Sequence, residues 1–247
     1  MKKFLTSVAA CGLALAGTQV HALGFAIVDG GGNSMDITGT GFTKSGIRGG
    51  EFLITPNGLD GAWPSYVPPG SFASYCVQVT ESFSFGDSPL SGYTIKPFTT
   101  AADYPGGSIP PNQPVSLAQL DRIGKLMTYG YSASGFGSGG ISNAEATALQ
   151  AGIWEVIYQP SSDPSTFDIT TGTFRVTSTI STEMSTVNTW MGAAGGATML
   201  TSYQKYAVLH SWGKQDFLVP VPEPEAYGLA LAGLGVVALG MRRRRKA

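Results

Sequence analysis

Phe72-Ala73-Ser74-Tyr75-Cys76-Val77-Gln78-Val79-Thr80-Glu81-Ser82-Phe83-Ser84-Phe85 reads as a strand of a sheet with one buried face. Successive strand side chains point to opposite faces. Tyr75, Val77, Val79, Phe83 and Phe85 share one parity and are expected in the core. Cys76, Gln78 and Thr80 share the other, more polar face. Working outward, residues 23–28, 51–55, 93–98, 173–178, 203–210 and 216–219 are also rich in β-branched or aromatic residues and bounded by turn formers, and are expected as strands.

Two helices are expected between the middle strands. Ser116 can cap a helix running to about residue 129, with Leu117, Leu120, Ile123 and Met127 as its apolar stripe. Ser142-Asn143-Ala144-Glu145 has the spacing of a capping box. Ala148, Leu149, Gly152, Ile153, Val156 and Ile157 then recur at helical spacing until Pro160 ends the pattern. A third helix is expected over residues 182–191. Glycine (34) and proline (15) are abundant, and charged residues make up 13% of the 247-residue chain. That mixture suits short strands and many turns. The expected fold is mainly β (α+β): a β-sandwich or partly open β-barrel with a helical insertion.

The formal net charge of −1 hides an asymmetry. Seven of the 15 basic residues lie at the two ends, and residues 23–220 hold eight basic and 14 acidic side chains, a net of −6. An acidic body argues against a nucleic-acid partner, since phosphate binding needs a basic footprint.

The ends read as addressing segments. Lys2 and Lys3, the apolar run from Phe4 to Gly17 and the small-residue site Val20-His21-Ala22 form a signal peptide over residues 1–22, to be handled by the Sec translocon and signal peptidase. Cys11 falls inside this apolar run. The exported domain is expected over 23–218, and the tail over 219–247. The tail holds Pro222-Glu223-Pro224, an apolar stretch from Tyr227 to Met241, and Arg242, Arg243, Arg244 and Arg245 followed by Lys246. The prolines stop a helix from extending backwards. Fifteen apolar residues reach about 22 Å as a helix, short of the roughly 30 Å hydrocarbon core. Snorkelling arginines extend that reach and would stay on the cytoplasmic side. These three parts in this order resemble the PEP-CTERM sorting signal, with Glu225-Ala226 standing where a serine is frequent. The resemblance implies an exosortase as partner and removal of the tail. It also implies transient inner-membrane anchoring by a transmembrane helix, then the outer surface or extracellular matrix of an exopolysaccharide-making, biofilm-forming bacterium.

After signal cleavage Cys76 is the only cysteine, so no internal disulfide is available. Its bland role is that of a small buried hydrophobe. Gln150 stands beside the apolar stripe of the second helix, one turn before Trp154. A helix-borne amide held against a strand-borne thiol can condense to an internal thioester, given alignment and little water. Tyr75-Cys76 with Gln150-Ala151-Gly152-Ile153-Trp154 resembles the thioester domains of bacterial surface adhesins. There a cysteine after an aromatic or aliphatic residue pairs with the glutamine of a Thr-Gln-x-Ala-Ile-Trp motif. The resemblance implies that Cys76 and Gln150 are cross-linked, with Tyr75 and Trp154 in support. Leu149 replaces the threonine and Gly152 the alanine.

Other signals point less far. Gly135-Phe136-Gly137-Ser138-Gly139-Gly140 fits G-x-G-x-x-G but follows a helix pattern, so it reads as a loop. Asp29-Gly30-Gly31-Gly32-Asn33 with Asp36 lacks EF-hand spacing and reads as a turn. A single mature histidine, His210, removes most triads and zinc sites; it reads as structural, and neither metal nor cofactor is expected. Trp63, Tyr66, Trp190 and Trp212 are candidate sugar-stacking residues, although tryptophans are more often core. The leading expectation is a non-enzymatic adhesive surface or matrix protein that attaches to amines through an autocatalytically formed thioester. The alternatives are a non-covalent exopolysaccharide-binding module and a secreted glycoside-active enzyme using paired carboxylates.

Overall fold

The structure, a computed structural model, describes residues 22–39, 41–57, 63, 67, 70–79, 81–97, 117–132, 142–158, 168–178, 185, 187–189, 192, 206–211 and 213–220. Residues 1–21 of the signal segment and the apolar tail lie outside these residues, as do Thr80, Ser116, the loop at 135–140 and Tyr66, Trp190 and Trp212. The described chain is mainly β. Strand β1 (Leu23–Gly39) and β2 (Phe42–Pro56) form a long hairpin. They are followed by β3 (Phe72–Ser74), a 3₁₀ turn (Phe85–Asp87), β4 (Leu90–Pro97), helix α1 (Leu117–Ser132) and helix α2 (Asn143–Tyr158). Strands β5 (Arg175–Val176), β6 (Tyr206–His210) and β7 (Phe217–Pro220) complete the order. Residues 185, 187–189 and 192 are helical, within the third predicted helix and one residue beyond it.

The sheet runs β3-β2-β1-β4-β6-β7, and β5 pairs with β1. Every named strand pair is antiparallel. The two ends of this path meet. The Leu218 N–H donates to the Tyr75 carbonyl at 2.9 Å, the Val77 N–H donates to the Asp216 carbonyl at 3.0 Å, and Cys76 bridges Phe217. The result is a nearly closed, barrel-like sheet, the second of the two architectures expected. Closure removes most of the free edge that an open sheet would present.

The stretch Phe72–Phe85 departs from its expected form. Only Phe72–Ser74 is strand, and beyond the Cys76 bridge the chain is irregular. Both parities are buried from Tyr75 to Val79: Tyr75, Cys76, Val77, Gln78 and Val79 all have 6% exposure or less, whereas Phe85 is 40% exposed. The predicted polar face of Cys76 and Gln78 is therefore an interior face. The physical reason is that this segment is enclosed between β7 on one side and α2 on the other.

The glycine run is not a turn. It lies within β1, at a bulge between Asp29 and Gly31. Gly31 has φ +130°, a conformation that side-chain-bearing residues rarely adopt. Gly32 packs directly on the Gly49 and Gly50 backbone of β2, where a Cβ would collide. Asp29 pairs with Arg48, and Asp36 accepts the Gly46 N–H at 2.7 Å.

Helix α2 begins as its sequence predicts. The Ser142 hydroxyl accepts the Glu145 N–H at 3.2 Å, and the Glu145 carboxylate accepts the Ser142 N–H at 2.8 Å. Each partner satisfies a donor the helix leaves open. Ser142→Ala is expected to cost about 1 kcal/mol, read as a lower urea midpoint with an unchanged slope. From Ala146 to Tyr158 every residue of α2 is buried, because the helix is packed against both strands of the hairpin and against α1.

Candidate functional site

The position of α2 is fixed by Thr147. Its hydroxyl accepts the Asn33 N–H at 2.7 Å and donates toward the Gly49 carbonyl at 3.0 Å, with the Asn143 carbonyl at 2.7 Å. This joins the helix to both hairpin strands. One turn later Gln150 lies beside Gly49, whose missing Cβ leaves room for the Met35 side chain.

Gln150 is fully buried and ends on Cys76. Its Oε1 accepts the Cys76 N–H at 2.8 Å, and its Nε2 donates to the Cys76 carbonyl at 2.8 Å. The geometry follows from the closing bridge. Tyr75 spends its carbonyl on β7 and Val77 its N–H on Asp216 just before it, so the main-chain groups of Cys76 point the opposite way. The Gln150 carboxamide meets them as one peptide group of a neighbouring strand would. A buried N–H and C=O left unpaired would each cost about 1–3 kcal/mol. Sequence separation gave no hint of this pairing across 74 residues; the signal was a buried-side glutamine on a helix, opposite a solitary cysteine.

Cys76 is a free thiol, 5% exposed. Burial pushes its pKa well above the ordinary thiol range, so the sulfur is held protonated. Tyr75 is fully buried, and burial also raises its hydroxyl, with the neighbouring Glu51 carboxylate adding to the effect. Trp154, on the same helix face as Gln150, is 3% exposed, and its buried indole N–H has no acceptor among the described residues. Trp63 is a packing residue: its N–H donates to the Gly24 carbonyl at 3.1 Å and its ring meets Phe25 and Phe72 edge-on.

A cleft of about 290 Å³ leads to this place. Exposed Lys44, Arg48 and Phe85 stand among its lining residues, together with buried Cys76, Gln78, Trp154 and Gln215. A polar network missed at the sequence level underlies it. Asp216, 1% exposed, faces the His210 Nδ1 with both oxygens at 3.0 Å, accepts the Gln78 Nε2 at 2.7 Å and the Ser211 N–H at 3.2 Å. Its residues are scattered over 138 positions, and single histidines, glutamines and aspartates carry no spacing pattern. Among the described residues no group of three or more His, Cys, Asp or Glu side chains could hold a metal.

A barrel-like sheet thus holds the Gln150 carboxamide against the main chain of Cys76, and the sequence from the end of β7 onward carries a recognisable motif. Residues 220–245 match the PEP-CTERM protein-sorting motif, which includes Pro222, Glu223, Pro224 and Arg242 to Arg245. The motif marks an exported protein that exosortase processes, anchored transiently at the membrane before release to the cell surface. Among the described residues no helix is long and apolar enough to cross a membrane. No curated protein and no solved structure matches the chain, so the thioester-domain likeness of the body rests on its residues alone.

Proposed function

We propose that the chain is a surface or matrix protein that attaches covalently to amine-bearing targets through a thioester between Cys76 and Gln150. The observation that carries this reading is the two-point docking of the Gln150 carboxamide on the Cys76 main chain. It is reinforced by the burial of both residues and by the sorting motif, which delivers the domain to the place where such a bond is useful.

The chemistry balances without a cofactor. The Cys76 sulfur bonds to the Gln150 side-chain carbonyl carbon, the carbon–nitrogen bond breaks, and the thiol proton leaves on that nitrogen as ammonia. The Cys76 N–H already donates to Oε1, the oxygen that gains negative charge as sulfur adds. Such a preorganised donor lowers the barrier. Alignment by rigid elements and exclusion of water do the rest. A target amine then attacks the same carbon, the carbon–sulfur bond breaks, and Cys76 is released as a thiol when it takes the proton from the attacking nitrogen. The protein acts once, as a covalent tether, and does not turn over.

Intact mass of the exported body tests the reading. A deficit of one ammonia is expected in the wild type and none in Cys76→Ala, and reaction with methylamine adds the whole mass of that amine, leaving the chain one CH2 heavier than its uncross-linked form. A body of full mass, with its thiol titratable after unfolding, overturns the proposal.

A further inference from the structure

We propose that the cleft beside Cys76 is a binding site for an acidic sugar unit, a pyranose ring that carries a carboxylate. Its volume of about 290 Å³ is at the small end for ligand pockets and suits a single ring. One wall is aromatic. Phe85 is 40% exposed, one of two large apolar side chains that stand in solvent among the described residues. Phe83 and Phe52, also in the lining, lie 5.3 and 6.1 Å from it between ring centroids. The Phe85 backbone is fixed at the start of the 3₁₀ turn. The Ser84 hydroxyl accepts the Gly86 N–H at 3.2 Å, and the Asp87 carboxylate accepts the Ser84 N–H at 3.3 Å. An exposed ring held in this way is a preformed flat surface, so covering it costs little ordering. The C–H face of a pyranose is flat and apolar.

The charge of the lining runs against that of the domain. Residues 23–220 carry a net of −6, yet the cleft is lined by exposed Lys44 and Arg48, with Glu81 as its one acidic residue. Arg48 shares its charge with Asp29, so Lys44 is the stronger positive pole. A cationic patch on an acidic surface draws an anion and steers it. The lining also holds groups for hydroxyls: the Glu81 carboxylate accepts, and the Ser82 hydroxyl does either. Trp154 lines the cleft from the helix side, and its buried indole N–H has no acceptor among the described residues. A buried donor of that kind is rare in a native protein, and a sugar oxygen is an acceptor of the right kind. The features select together. A neutral ring leaves Lys44 without its counter-charge, and an aliphatic acid leaves Glu81 and Ser82 without partners. A ring with an apolar face, hydroxyls and one carboxylate answers all of them.

The test titrates the exported protein with methyl β-D-glucuronide and with methyl β-D-glucoside, which differ only in the carboxylate, and follows the sugar signals by NMR. The glucuronide is expected to bind about fivefold more tightly at low salt, and salt at about 0.5 M is expected to remove most of that advantage. Phe85→Ala is expected to weaken both sugars about fivefold, the loss of one ring contact. Lys44→Gln is expected to weaken the glucuronide alone, by up to about fivefold. Both side chains are exposed, so the two variants are expected to fold. Should either not fold, the two sugars on the wild type decide. Absence of binding by either sugar, equal affinity for both, or a Phe85→Ala protein that binds as the wild type does overturns the proposal. The thioester is not needed for this site, so the result stands whichever mass the exported protein shows.

Discussion

Phe217→Ala is expected to lower unfolding free energy by about 3–5 kcal/mol, the range for deleting a large buried aromatic side chain. The ring is fully buried. Phe83 approaches it at 5.1 Å between centroids, Phe25 at 5.9 Å, Tyr93 at 6.1 Å and Phe52 at 6.3 Å. These four come from β1, β2, β4 and the segment after Cys76, so no single element can relax into the space the ring leaves. Edge-on aromatic pairs add to what area burial alone supplies. Phe217 is also the residue that Cys76 bridges, so the cavity opens where the barrel closes. Urea unfolding is the measurement, with a loss under about 1 kcal/mol contradicting the packing. Fluorescence and circular dichroism transitions should still coincide. A thioester formed in the wild type should form more slowly in the variant, because alignment of sulfur and carboxamide depends on β7 holding Tyr75 and Val77.

The sequence was readable where local chemistry sets local structure. The capping box at Ser142 and Glu145 forms because both hydrogen bonds lie within one turn. Residues 206–210 and 217–220 are strands because their β-branched and apolar residues fit a pleated, buried surface. Reading failed where long-range closure decides. The alternation from Phe72 to Phe85 is that of a half-buried strand, yet Gln78 is enclosed because Gln215 and Asp216 meet it from β7's approach. The triple glycine reads as a turn until the partner strand brings Gly49 and Gly50 against it. The candidate pair Cys76 and Gln150 was legible as chemistry, a thiol and an amide on elements that can pack. Its main-chain hydrogen bonds were not, since they depend on which way the Cys76 peptide groups face. Glu155 gave no sequence signal at all, standing in an apolar helix as one more residue between Trp154 and Val156.

Glu155→Gln is expected to stabilise the protein by several kcal/mol at pH 8 and to leave it nearly unchanged at pH 4. The Glu155 side chain is fully buried, and among the described residues neither carboxylate oxygen has a hydrogen-bond partner. Burial pushes its pKa from 4.5 up to about 9, with the Asp168 carboxylate adding to the shift. An uncompensated buried charge is costly, so the folded state keeps the proton. The direction of the pH effect follows. Below about pH 4.5 both folded and unfolded chains hold the proton, and Glu155 contributes no dependence. Between about 4.5 and 9 the unfolded chain has released a proton that the folded chain retains. Stability then falls by up to about 1.4 kcal/mol for each pH unit, and the fall ends near the folded pKa. Glutamine has the same shape and no charge to bury, so the variant escapes that loss. Urea midpoints at pH 4 and pH 8 for both proteins isolate the effect, because other titrating groups, Glu51 among them, cancel in the difference. Parallel curves for the two proteins would mean that the carboxylate finds a partner or water that relieves its burial.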